Sequence, residues 1–118
     1  MTLPLNKEML AAAYDYLRTT PPFAKWNLPE GEDVMFAVVR DPAVRGWYRL
    51  DEKSRHSIGI STRCIGRTDS LLVTMAHEMV HLFQRDARIE SPRAEHNAAF
   101  NKLAERVCKR HGWDPLLF

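Results

Sequence analysis

Leu71-Leu72-Val73-Thr74-Met75-Ala76-His77-Glu78-Met79-Val80-His81-Leu82-Phe83 decides how this chain is read. Its apolar residues Leu71, Leu72, Met75, Met79, Leu82 and Phe83 recur at helical spacing and cover a broad arc. Ser70, Thr74, His77, His81 and Gln84 fall on a narrow polar stripe of the same helix. Residues four apart on a helix differ by about 40° around its axis, so His77 and His81 project from one face. Two imidazoles held that way can grip one metal ion, and an H-E-x-x-H glutamate, here Glu78, is placed to act as a general base. The stripe is therefore expected to line a cleft, as the core of a metal-dependent hydrolase.

A catalytic zinc takes three protein ligands and leaves one position open. His96 is the best third ligand. It lies one turn before Phe100 on the stripe Phe100, Leu103, Val107 of a last helix, so it is expected to point inward. The 14 residues between His81 and His96 let the chain turn and bring a second helix across the first. His56, Glu95 and His111 are weaker candidates. His56 precedes the motif on or near a strand, Glu95 is about 100° off the His96 face, and His111 sits at a helix end, where it can complement the dipole.

Working outward, Asn6 is expected to cap a first helix through about Arg18, with Leu10, Ala13, Tyr14 and Leu17 on one side. Thr19-Thr20-Pro21-Pro22 stops it. Val34–Val39 and Gly46–Leu50 read as two strands paired with each other across a turn at Asp41-Pro42. Ser57-Ile58-Gly59-Ile60-Ser61 alternates like a half-buried strand, a candidate edge for an extended substrate. Thr68 or Asp69 is the expected cap of the motif helix, which runs to about Asp86. The last helix starts at Ser91-Pro92 or near Glu95 and ends at Arg110, before Gly112. The fold class expected is α+β: three main helices and a small antiparallel sheet in one domain, residues 1–118, with zinc between the second and third helices.

Composition sets the bounds. The 118 residues are 45% hydrophobic and 27% charged, ordinary for a globular protein with a sizeable core. No apolar run approaches the roughly 20 residues that span a membrane. The N-terminus lacks the charged start and apolar block of a signal peptide. Cys64 and Cys108 are too few and too dispersed for a disulfide framework. They are expected to be reduced packing residues in a cytoplasmic, not a secreted, protein. Net charge is +2, but residues 40–67 hold seven basic side chains against three acidic ones. With Trp47 and Tyr48 interleaved, that segment can track a phosphate backbone; a solvated strand face with two core aromatics is the favoured reading.

At these residues the chain resembles the SprT-like metalloproteases, the family that includes the Spartan proteases. The similar parts are the strand Ser57–Ser61, the helix carrying His77-Glu78-Met79-Val80-His81, and His96-Asn97-Ala98-Ala99-Phe100, the counterpart of the family's H-G-x-x-F. Asn97 stands where the family has glycine. The resemblance covers roughly residues 34–112. It implies a minimal zincin-like fold, zinc (Zn2+) held by His77, His81 and His96, Glu78 as the catalytic residue, and a protein or peptide substrate. It extends to DNA-associated substrates and to a nucleoid or nuclear setting only through family members that bind DNA with separate segments. A second oxyanion stabiliser is expected among Tyr48, His56 and Arg63. A zinc-containing, DNA-associated binding module without turnover is the alternative; the intact glutamate argues against it, since a purely structural site needs no base.

Overall fold

The computed structural model of the chain describes residues 5–62, 68–87 and 96–118. Helix α1 spans Lys7–Arg18, and its Asn6 cap accepts a hydrogen bond from the Met9 amide at 2.7 Å. Leu10, Ala13, Tyr14 and Leu17 are its buried residues, as the periodicity predicts. The Tyr14 ring meets Phe36 edge-on, and its hydroxyl donates to the Pro29 carbonyl, which ties the helix to the loop before the sheet. That bond resolves the cost of burying a phenol.

Strands β1 (Val34–Val39), β2 (Gly46–Leu50) and β3 (His56–Ser61) form one sheet in the order β1-β3-β2. β1 runs parallel to β3, with Phe36 opposite Ile58, while β2 runs antiparallel to β3, with Tyr48 opposite Ile58. The sheet is thus mixed, not antiparallel, and the expected pairing of the first two strands does not occur. The cause lies in residues 40–45, which do not close a tight hairpin at Asp41-Pro42. They carry the chain across the end of β3. The Ser61 amide donates to the Arg45 carbonyl at 2.8 Å, and the Ser61 hydroxyl donates to the Asp41 carbonyl at 2.6 Å. β2 consequently lands on the far side of β3. The third strand is therefore central rather than an edge. Ile58 and Ile60 are fully buried on the helix side, and Gly59 and Ser61 are buried too. A strand covered on both faces has no solvent-facing register to reveal its neighbours.

Helix α2 (Thr68–Asp86) lies at the centre, touching α1, β2, β3 and the last helix. Thr68 and Asp69, the expected caps, are already inside the helix rather than before it. Its apolar arc forms the heart of the core: Met75, Met79, Val80 and Leu82 are fully buried. Thr74, Glu78 and Gln84 are buried as well, and Ser70, His77 and His81 are half-buried, so the polar side of α2 is largely withdrawn from solvent. An enclosed polar stripe costs desolvation and persists where those groups have work to do.

Helix α3 spans Ala98–His111. The Asn97 side chain caps it, accepting from the Phe100 amide at 2.9 Å, and Gly112 ends it in the left-handed conformation at φ 76°. The expected start at Ser91-Pro92 lies outside the described residues, and the described helix begins after His96 rather than before it. Phe100, Ala104, Val107 and Cys108 face the core. Cys108 is free and buried, a packing residue as expected; Cys64 lies outside the described residues. A short 3-10 turn, Pro115–Leu117, follows. Among the described residues no helix is long and apolar enough to cross a membrane.

Candidate metal centre

The three histidines singled out by spacing converge. His77 and His81 project from consecutive turns of α2, and His96 reaches them from the turn immediately before the Asn97 cap. His96 Nε2 lies 3.2 Å from His77 Nε2 and 3.3 Å from His81 Nε2. One ligand nitrogen from each ring can be chosen so that all three lie within 4.8 Å of one another. Phe100 is the shared floor: its ring stacks on His81 and on His96, each at 4.6 Å between centroids, and contacts His77 at 5.0 Å. Phe100 thus does the work that a helical position for His96 was expected to do. The residue stands outside α3 and is exposed, not on a buried helical face as expected, yet its ring is held in place by a side chain one turn inside the helix.

These distances can be tested against a metal. Zinc–imidazole bonds of about 2.0–2.1 Å in a tetrahedron put ligand nitrogens about 3.3 Å apart. The two His96 distances match that edge. Neutral imidazoles also offer what a cation needs, a lone pair on the converging nitrogen. Burial pushes His77 down to about 4, with the neighbouring His96 and Arg45 charges acting in the same direction and the bond to Phe118 opposing them. Burial likewise pushes His81 down to about 4, helped by His77 and His96. Both rings are therefore neutral at physiological pH. The residues fit a three-histidine metal site.

Glu78, 5% exposed, lines a cavity of about 230 Å³ together with His77. Arg45, Gly46, Thr74 and Phe118 form other parts of its wall. Arg45 and Phe118 escaped the sequence reading. Arg45 arrives because residues 40–45 cross the end of β3, which no local pattern encodes. Phe118 arrives because the chain folds back after α3; Gly112 signals the end of that helix but not the direction taken afterwards. His77 Nδ1 lies 2.6 Å from the Phe118 main-chain oxygen.

Other candidates sit elsewhere. The Tyr48 hydroxyl bonds His56 Nδ1 at 2.6 Å, and His56 Nε2 lies 3.4 Å from Asp86 Oδ1 at the C-terminal end of α2. Neither Tyr48 nor His56 lines the cavity. His111 stacks on Trp113 at 4.6 Å, at the far end of α3 from His96. Glu95 and Arg63 lie outside the described residues. Of the basic segment, Arg49 places its guanidinium 4.3 Å from the Trp47 ring centre, while Arg55 pairs with Asp51 at 2.8 Å.

No protein-family model and no curated protein sequence matches the chain, so the site is read from its own geometry.

Proposed function

We propose that the chain is a zinc-dependent metalloendopeptidase of SprT-like, zincin-like type. The observation that carries this reading is the convergence of His77, His81 and His96, with the buried Glu78 next to His77 along α2 and lining a cavity with it. His77, His81 and His96 would hold the ion. Zinc supplies Lewis acidity when bound, polarising a carbonyl and making water a better nucleophile source near neutral pH. Glu78 takes the proton of the attacking water and delivers it to the departing amine nitrogen, so it begins and ends the cycle as a carboxylate. Enclosure in the cavity strengthens that role, because a carboxylate held away from bulk water interacts more strongly with nearby charge.

The substrate lies along β2. β3 was the expected edge, but it is paired on both sides. Among the described residues β2 pairs on one side only, and its first residue, Gly46, lines the cavity beside Arg45. An extended peptide added to β2 would reach His77 and Glu78 at that end. Arg45, whose residue is exposed, takes the place of Tyr48 and His56 as the candidate stabiliser of negative charge on the substrate.

The stacked Trp47–Arg49 pair favours a second reading. It lies on the sheet face opposite Ile58 and Ile60, and suits a base stacked beside a phosphate. Under that reading the domain is a zinc-containing module that holds DNA-associated proteins or DNA without turnover.

Metal analysis with two variants separates these readings. Wild-type protein should carry one equivalent of zinc, and His96→Ala should lose most of it. Glu78→Gln should keep the metal and lose peptidase activity by about 10²- to 10⁴-fold or more. Wild-type protein that takes up no zinc sinks the proposal. A zinc-loaded protein that cleaves no unfolded substrate, but binds single-stranded DNA with steep salt dependence, supports the module instead.

A further inference from the structure

The last residue described adds a part to the centre that no motif contains. We propose that the main-chain oxygen of Phe118 is the positioning group for His77, fixing the tautomer and ring orientation that present its Nε2 to the metal. The consequence for metal binding rests on the metallopeptidase reading; the hydrogen bond itself does not.

The argument starts with proton inventory. A neutral imidazole carries one N–H and one lone pair, and either nitrogen can hold the proton. His77 Nδ1 is 2.6 Å from the Phe118 oxygen. That oxygen, whether a peptide carbonyl or a carboxylate, has no hydrogen to give. Nδ1 must therefore be the donor, which leaves the lone pair of His77 on Nε2. Nε2 is the atom 3.2 Å from His96 Nε2, inside the cluster. A partner on the distal nitrogen of a ligand histidine orients the ring and raises its basicity.

The fold builds this contact. The left-handed Gly112 lets the Trp113 amide return to the Cys108 carbonyl at 2.9 Å, which reverses the chain at the end of α3. Asp114 then caps the following turn, accepting from the Leu116 amide at 2.9 Å, and Pro115 stands at its first position. The Phe118 ring sits 5.3 Å from the His77 ring and 6.3 Å from Phe100, so side chain and main chain of the residue are both anchored at the centre. The cap and the reversal together bring residue 118 back to the centre.

Two measurements test the proposal. The first is nitrogen-15 NMR of the histidine rings in the metal-free wild-type protein at neutral pH. His77 should show a protonated Nδ1 and a bare Nε2; the opposite tautomer overturns the proposal without any variant. The second compares zinc and cobalt affinity, by chelator competition, for wild type, Phe118→Ala, and a chain shortened to end at Leu117. Phe118→Ala keeps the oxygen and loses only the ring, so it should keep the tautomer and lose clearly less affinity than the shortened chain. The shortened chain should show mixed tautomers and bind about 10- to 100-fold more weakly. A folded shortened chain with wild-type tautomer and affinity overturns the proposal. If no chain binds metal while the wild-type tautomer is as expected, the metal centre falls and the hydrogen bond stands.

Discussion

Trp47 covers Gly59 so closely that a β-carbon on the glycine would lie 2.2 Å from the indole Cε2. The two residues are directly paired across β2 and β3, and the absent side chain lets the indole lie against the strand. Gly59→Ala should therefore destabilise the protein by about 1–3 kcal/mol, the usual range for a forced fit in a packed site. Urea unfolding measures it. Adding Trp47→Ala should recover part of the loss, and strictly additive effects would show that the contact is not the cause.

The cap of α3 offers a finer test. Asn97 has φ −80°, a backbone conformation open to any residue, so the glycine found in the resembling family is not demanded by geometry here. What Asn97 supplies is its side-chain oxygen. Asn97→Ala should cost about 1 kcal/mol and Asn97→Gly only a few tenths. The same variants should weaken metal binding in that order, because His96 precedes the cap. Equal effects of alanine and glycine on stability would rule out the cap as the source.

Acid should loosen the metal-free protein. His77 and His81 are held at about 4 in the folded state against an ordinary value of 6.5, so between those values the unfolded chain binds more protons. Stability is then fully present above the unfolded value and is lost as pH falls through it, until both states are protonated below about pH 4. His111 is shifted in the same direction by burial and adds to the trend. Urea midpoints measured in chelator should fall steadily below about pH 6.5, and replacing His77 and His81 with glutamine should flatten the slope. A pH-independent midpoint in that window would contradict the burial.

Tyr48 belongs to a separate hydrogen-bonded line with His56 and Asp86. Tyr48→Phe should lower stability by about 1 kcal/mol. On the metallopeptidase reading proposed above, it should leave zinc content and turnover within about twofold. Arg45→Ala should behave oppositely, preserving stability within about 0.5 kcal/mol as an exposed residue and slowing turnover, with metal retained. A Tyr48→Phe variant that keeps zinc but loses most of the proposed activity would return the hydroxyl to the proposed reaction.

How much of this was legible in the residues depends on the range of the interaction that decides it. The α1 stripe of Leu10, Ala13, Tyr14 and Leu17 and the Asn6 cap are set within a few residues, and periodicity finds them. The shared face of His77 and His81 is likewise a property of one helix. Strand partnership is not local. β1 and β2 each look competent to pair with the other, and only the crossing of residues 40–45 over Ser61 separates them. His96 was found by its spacing to Phe100, but its place outside α3 depends on Asn97 winning the cap. Phe118 carries no pattern at all; its role comes from a reversal a few residues earlier and a contact 41 residues back along the chain.

The placement of His96 before its helix has one more consequence. Two of the proposed ligands sit on a helix in the middle of the core, and the third sits on a separate piece of chain that a metal would fasten to it. A bound ion would act as a clasp around residues 82–95, a closed loop much like one sealed by a disulfide. For about 15 residues, such a closure removes about 3 kcal/mol of chain freedom from the unfolded state. The metal-free chain would lack that constraint and unfold more readily. Loading with metal would then govern the lifetime of the protein as well as its chemistry.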